Sequence, residues 1–151
     1  MKKIVFVCLG NICRSPMAEF VFKHLARKAG IVNEYVIESR ATIDEEEGNP
    51  VYPPAAAELR KHGIGCDGKH AHCLEKSDYD KYDLIVCMEN MNVRGVLDIV
   101  GGDPDHKIVR LLDYTDEKGD IADPYFTRDF ALSYRQIEKG CKALLAALQV
   151  E

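Results

Sequence analysis

The sequence predicts an α/β fold: a three-layer sandwich in which a central four-stranded parallel sheet carries helices on both faces. Three observations predict it. Short apolar runs rich in β-formers alternate with longer stretches of helical periodicity, the pattern of parallel strands joined by crossover helices. The chain has 151 residues, enough for one domain, 1–151, with a substantial core, and no repeat, low-complexity tract or linker divides it. The first strand runs into a Gly-Asn turn and then a helix start. This puts a phosphate-type loop after the first strand, at the carboxyl end where such sheets bind ligands.

The elements follow in order. Ile4-Val5-Phe6-Val7 is short and apolar, and reads as a buried strand over 3–8. Ser15-Pro16 opens a helix over 16–29, with Ser15 placed to cap it and Pro16 suited to its first position. Met17, Val21 and Leu25 mark one apolar face, and Gly30 stops the helix. Further strands are expected over 35–39, 83–88 and 107–112, and further helices over 53–62, 89–99 and 128–148. The last helix carries Phe130, Tyr134, Ile137, Cys141, Leu144 and Leu148 at helical spacing.

Composition narrows the class. Hydrophobic residues make up 46% and charged residues 30%, which is ordinary globular material. The formal net charge is −5 and the basic residues are dispersed, so no nucleic-acid partner is expected. No run approaches the length of a membrane span, and Met1-Lys2-Lys3 leads straight into a strand; neither membrane association nor a signal peptide is expected. Six cysteines, one of them in a reactive setting, point to a reducing compartment, the cytoplasm.

That setting is Cys8-Leu9-Gly10-Asn11-Ile12-Cys13-Arg14-Ser15. A strand-to-helix turn aims successive backbone N–H groups at one spot beside the positive end of a helix dipole. Gly10 and Asn11 tolerate the backbone angles of such a curl. Helix N-termini and nearby cations favour the thiolate form of a cysteine, which makes Cys8 a candidate nucleophile. Arg14 can fork onto two oxygens of a tetrahedral anion, and the Ser15 hydroxyl can donate to the sulfur. The plain alternative is a buried cysteine and a surface arginine that happen to lie five residues apart. A nucleotide P-loop is excluded because no Gly-Lys-Ser/Thr ending follows.

A second constellation is Asp123-Pro124-Tyr125-Phe126. A carboxylic acid here could protonate a leaving oxygen and then activate water, although Asp-Pro is also a common turn. Tyr125 and Phe126 could wall a slot for a flat ring, or simply pack in the core.

The run Val7-Cys8-Leu9-Gly10-Asn11-Ile12-Cys13-Arg14-Ser15-Pro16-Met17-Ala18-Glu19 resembles the active-site loop of low-molecular-weight protein tyrosine phosphatases. The resemblance continues at Glu38-Ser39, Gly48-Asn49-Pro50, Cys87-Met88 and Asp123-Pro124-Tyr125-Phe126, over nearly the whole chain. It implies a Rossmann-like sheet and a phosphotyrosine hydrolase with a phosphocysteine intermediate on Cys8. Arg14 and the backbone of residues 9–15 would bind phosphate, and Asp123 would be the general acid, then the base. It implies that Leu9, Gly10, Asn11, Ile12, Cys13, Arg14, Ser15, Tyr125 and Phe126 form the substrate site. Asn11, Ser15 and Ser39 would support the loop, and Cys13 would form a reversible disulfide with Cys8. Phosphotyrosine proteins, inorganic phosphate and other oxyanions are the implied ligands, with no metal and no organic cofactor.

Two rival activities share the loop: thioredoxin-coupled arsenate reductase, relaying through Cys73 or Cys87, and protein arginine phosphatase. Ile12 stands where the arginine branch carries threonine. The Cys66/His70/His72/Cys73 group matches no common zinc spacing, and Cys87 and Cys141 read as core. Two positions depart from the family pattern. Glu45 stands at the pocket rim, where it would disfavour acidic phosphopeptides. Lys69 stands where animal members carry a histidine that braces the asparagine, so the bracing of Asn11 is open.

Overall fold

The computed structural model describes all 151 residues. Strands β1 (Lys2–Cys8), β2 (Tyr35–Ala41), β3 (Leu84–Cys87) and β4 (Ile108–Arg110) form one sheet in the order β2-β1-β3-β4. Every pairing is parallel, and β1 lies between β2 and β3, with Ile4 opposite Ile37 on one side and Leu84 on the other. The helices are α1 (Arg14–Lys28), α2 (Pro53–Lys61), α3 (Asp78–Lys81), α4 (Asn90–Val100), α5 (Pro124–Thr127) and α6 (Phe130–Gln149).

The alternation of strand side chains divides the core in two. Ile4, Phe6 and Cys8 join Met17, Phe22, Leu59, Ile137 and Leu144, so α1, α2 and α6 cover one face. Val5, Val7 and Ile85 join Tyr79, Tyr82 and Val96, so α3 and α4 cover the other. β1 is therefore apolar at every position from Ile4 to Cys8, as a strand buried on both faces must be. Phe6, Phe22 and Tyr35 meet at ring separations of 5.8 and 5.4 Å. α6 approaches closely at Gly140, where a Cβ would lie 2.5 Å from Leu111 Cγ.

The sequence reading differs from this architecture at several ends. The expected strand 107–112 is a strand only at 108–110, and residues 111–114 form a 3-10 turn. Leu111 and Leu112 are buried within the core rather than in the sheet. α1 begins at Arg14, two residues early, and Ser15 is not its cap. α6 begins at Phe130 because Asp129 caps it, accepting from the Leu132 N–H at 2.9 Å. The short helices α3 and α5 were not expected. Gly30, at φ 73°, does end α1. No helix is long and apolar enough to cross a membrane.

Candidate active site

The site is built on the carboxyl end of β1. The Cys8 and Leu9 carbonyls accept from the Thr42 N–H, each at 3.1 Å, and Leu9 also accepts from Ile43 N–H at 3.2 Å. The Ile12 carbonyl accepts from Tyr52 N–H at 2.9 Å. A trans peptide points its N–H opposite to its carbonyl. Tying these carbonyls outward therefore turns the N–H groups of Leu9, Gly10 and Cys13 the other way, into the curl ahead of α1.

Asn11 makes the curl possible. It sits at φ 59°, in the left-handed region that asparagine tolerates better than most residues. Its Oδ1 accepts from the His72 N–H at 3.1 Å and its Nδ2 donates to Ser15 Oγ at 2.7 Å. Gly10 has an ordinary φ; what it supplies is room, because a Cβ there would lie 3.3 Å from Glu46 Cγ. Cys8 Sγ lies 3.0 Å from Ser15 Oγ and 3.4 Å from Ser15 N–H. Asn11 donates to that hydroxyl, and its own hydrogen has two acceptors in reach, the Cys8 sulfur at 3.0 Å and the Arg40 carbonyl at 3.4 Å. Ser15 is not a helix cap because α1 begins at Arg14, one residue before it.

Arg14 is 2% exposed. Its Nη1 donates to the Ile121 carbonyl at 3.0 Å, and its Nη2 reaches Glu89 and Asp123, each at 3.2 Å. Burial works against its charge, but Cys8, Glu89 and Asp123 outweigh that, and the guanidinium is held more firmly protonated than usual. Asp123 caps α5, its Oδ1 accepting from the Tyr125 N–H at 3.0 Å.

These groups share one cleft of about 200 Å³, lined by Cys8, Leu9, Gly10, Ile12, Cys13, Arg14, Ile43, Glu45, Glu46, Asp123, Tyr125 and Phe126. Most of the residues singled out in the sequence are brought together here. Tyr125 and Phe126 are 51% and 75% exposed, so they form a lip rather than core. Tyr52 lies 5.7 Å from the Tyr125 ring and accepts from Arg128 at 3.1 Å, extending that lip.

Three contributors escaped the sequence reading: Ile43 and Glu46 on the wall, and Glu89 as the main partner of Arg14. Glu89 follows Cys87-Met88 just past the end of β3, and Ile43 stands just past β2. The signal for both was their place after strands neighbouring β1.

Ser39 is not where it was expected. It donates to Glu19 and does not reach the loop, because Glu19, on α1, is buried and needs donors. Lys69 donates to the Ser39 carbonyl at 2.9 Å and lies 3.6 Å from Glu19. Burial holds the Lys69 amine below its ordinary value, with Glu19 opposing. Lys69 thus serves this polar cluster, while a backbone N–H, that of His72, braces Asn11.

The remaining cysteines and histidines do not converge on one point. His72 pairs with Glu47 at 2.8 Å, which also accepts from the Cys73 N–H, and no three His, Cys, Asp or Glu side chains are grouped as a metal site. All six cysteines are free thiols. Burial, then Cys8 and Asp123, push the Cys13 thiol up to about 12. Burial likewise raises Cys87 and Cys141, and with Asp44, Glu47 and Glu75 it raises Cys73. Only Cys8 among the six has a serine hydroxyl and a helix N-terminal N–H on its sulfur.

A sulfur facing inward-turned N–H groups, with a carboxyl group across the same cleft, can accept a tetrahedral oxyanion and exchange a proton with its departing group.

The family model described as low molecular weight phosphotyrosine protein phosphatase matches residues 3–151. The chain is 38% identical to the low molecular weight protein-tyrosine-phosphatase YfkJ of Bacillus subtilis, covering 100% of this chain and 98% of that protein. The crystal structure of YfkJ superposes with a TM-score of 0.95 over 99% of this chain and 95% of that one. A low molecular weight phosphotyrosine protein phosphatase of Sus scrofa is 39% identical, covering 95% of this chain and 94% of its own length. The Drosophila arginine phosphatase shares the fold at 27% identity, with a TM-score of 0.87 and 98% of each chain covered.

Proposed function

The chain belongs to the low molecular weight phosphotyrosine protein phosphatase family, and on that footing we propose that it hydrolyses phosphotyrosine in proteins through a phosphocysteine intermediate on Cys8. One observation carries the reading: Arg14 joins the Cys8 loop to Asp123 inside a single cleft, with the sulfur and the carboxyl group both lining it.

The arriving phosphate competes with Asp123 for Arg14 and takes the N–H groups of residues 9–15. Cys8 sulfur attacks phosphorus, the bond from phosphorus to the tyrosyl oxygen breaks, and that oxygen takes the proton of Asp123. Water then attacks phosphorus, the P–S bond breaks, and Asp123 receives the water's proton. Inorganic phosphate leaves, and it and similar oxyanions compete for the same cradle. The chain's own residues supply the nucleophile, the cation and the acid, so the mechanism calls on no metal or organic cofactor. Residues 1–151 act as one domain.

Ile12 and Ile43 line the cleft and Tyr125 and Phe126 form its lip, which suits a phenyl ring better than a guanidinium that would have to shed water against methyl groups. Glu45 at the mouth disfavours acidic flanking sequence. A relay to Cys73 or Cys87, as an arsenate reductase needs, is disfavoured because neither lines the Cys8 cleft, whereas Cys13 does. A reactive thiol among six free cysteines suits the cytoplasm.

The test is one preparation offered phosphotyrosine, phosphoarginine and arsenate, with chelator present. Turnover of phosphotyrosine is expected to dominate. Cys8→Ser abolishes it, and Asp123→Ala slows it by about 100-fold or more while leaving binding largely intact. Wild-type turnover in Cys8→Ser would overturn the mechanism, and faster turnover of phosphoarginine would reassign the substrate.

Cys13 gives the site a reversible off state. Hydrogen peroxide oxidises Cys8 to the sulfenic acid, and the Cys13 thiol attacks that sulfur with loss of water to form a disulfide, which dithiothreitol reduces. With enough peroxide to carry an unprotected sulfenic acid on to the sulfinic acid, which dithiothreitol does not reduce, Cys13→Ser is expected to lose activity without recovery. Equal recovery in wild type and variant would rule the disulfide out.

A further inference from the structure

The segment that delivers Asp123 has no regular structure just before it, yet its backbone is fully engaged. Ile121 N–H donates to the Met88 carbonyl at 2.9 Å, and the Ile121 carbonyl accepts from Arg14. Ala122 is held from the other side. Its N–H donates to Gln136 Oε1 at 2.9 Å, and its carbonyl accepts from Ser133 Oγ at 2.8 Å. Ser133 and Gln136 stand three apart on α6, on one face of that helix, and Ser133 is fully buried.

We propose that Ser133 and Gln136 are positioning residues for the general acid: together they fix both polar groups of the Ala122 peptide units and so set where the Asp123 carboxyl group stands. The inference rests on the role given to Asp123 above.

The physical argument is one of leverage. The Asp123 carboxyl group is held by Arg14 and the Tyr125 N–H alone. Substrate phosphate takes the first of these away. What then keeps the carboxyl group against the leaving oxygen is the α5 start and the backbone that enters it. Pro124 fixes one side of Asp123, and the Ala122 clamp fixes the other. Met88 and Arg14 anchor Ile121 to the sheet and the loop, while Ser133 and Gln136 anchor Ala122 to α6. The acid is thereby registered against both the nucleophile and the long helix. A proton donor displaced by about 1 Å can cost on the order of 100-fold in rate, so a two-bond clamp on the preceding residue bears directly on the chemistry.

A merely structural role would lower stability and reduce all activities alike. A positioning role has a different signature, because a leaving group that departs as a stable anion needs no proton. The test compares kcat/KM, which reports transfer to Cys8, for phenyl phosphate and for 2,4-dinitrophenyl phosphate in wild type, Gln136→Met and Ser133→Ala. Gln136→Met keeps the side chain's length and removes the acceptor. For each variant, phenyl phosphate turnover is expected to fall about tenfold and dinitrophenyl phosphate turnover to change less than about twofold. In an Asp123→Ala background the same substitutions are expected to have no further effect on phenyl phosphate. Equal losses on both substrates, no loss on either, or a full additional loss in the Asp123→Ala background would overturn the proposal. Failure of the acid role itself shows separately, as an Asp123→Ala enzyme that does not distinguish the two leaving groups. If Ser133→Ala does not fold, Gln136→Met, at a partly exposed position, decides alone.

Discussion

Asn11 carries more of the site than its size suggests. It adopts a backbone conformation that costs most residues on the order of 1 kcal/mol, and it bridges the His72 N–H to Ser15. The two duties can be separated. Asn11→Ala keeps neither and is expected to lose about 2–3 kcal/mol of stability, from the strained angle and two broken hydrogen bonds. Asn11→Gly relieves the angle alone, so it should regain about 1 kcal/mol in thermal unfolding while its kcat stays as low as that of Asn11→Ala. A glycine variant with wild-type kcat would mean that the angle matters and the bridges do not. At this scale the sequence was informative where neighbours in the chain do the work: Cys8, Arg14 and Ser15 lie on one turn, and their chemistry can be read from spacing. It was silent on Glu89, because Arg14 and Glu89 meet only through the sheet. Ser39 shows the converse, since a resemblance placed it on the loop and a buried carboxylate, Glu19, claims its hydroxyl instead.

The long elements were legible because each has room for a period. α6 shows its buried face five times over twenty residues, and β1 is an apolar run of strand length. The four-residue helices α3 and α5 have no such room. α5 is dictated by local chemistry instead: Asp123 caps it and Pro124 occupies its first position, a signal present in the sequence but read there only as a turn. The overextended fourth strand fails for the opposite reason. Ile108 to Leu112 is a continuous apolar-rich run, and periodicity alone cannot separate a strand from a compact turn buried under a helix. Thr115 settles it, its hydroxyl donating to the Leu112 carbonyl and closing the turn. The start of α1 was misplaced because a serine before a proline is ordinarily a cap. Here the hydroxyl is drawn to a sulfur that the strand end delivers. The departures at this scale therefore gather around the cleft, where side chains serve the site in place of their local helix or strand.

For the whole molecule, the consequence is a dependence on pH that comes from packing. Cys13, Cys87 and Cys141 lie in the loop, the sheet and the α6 layer, and burial is the largest cause of the raised value of each. In the unfolded chain a thiol titrates near its ordinary 9.0, whereas folded Cys13 holds its proton up to about 12. Between those values the native state binds more protons than the unfolded state, so stability must fall as pH rises. The contribution is complete below pH 9 and is lost through the folded values, at up to about 1.4 kcal/mol per pH unit for each thiol. Three further groups can be placed, two that add to the loss and one that opposes it. Tyr82 and Tyr134 are also raised, but from 10.0, so they add to the loss only above that pH. Lys69 is held below 10.5 and works in the other direction, one group against five, since Cys66 and Cys73 are raised as well. Between pH 9 and 10 the thiols therefore set the sign. Thermal unfolding measured from pH 7 to 10 is expected to give a flat Tm up to about pH 8.5 and a falling one above it. Cys141→Ala should unfold at lower temperature throughout, because it leaves a cavity, yet lose less between pH 9 and 10 because one titrating thiol is gone. Wild type and variant falling in parallel over that interval would place the alkaline sensitivity elsewhere than in the buried thiols.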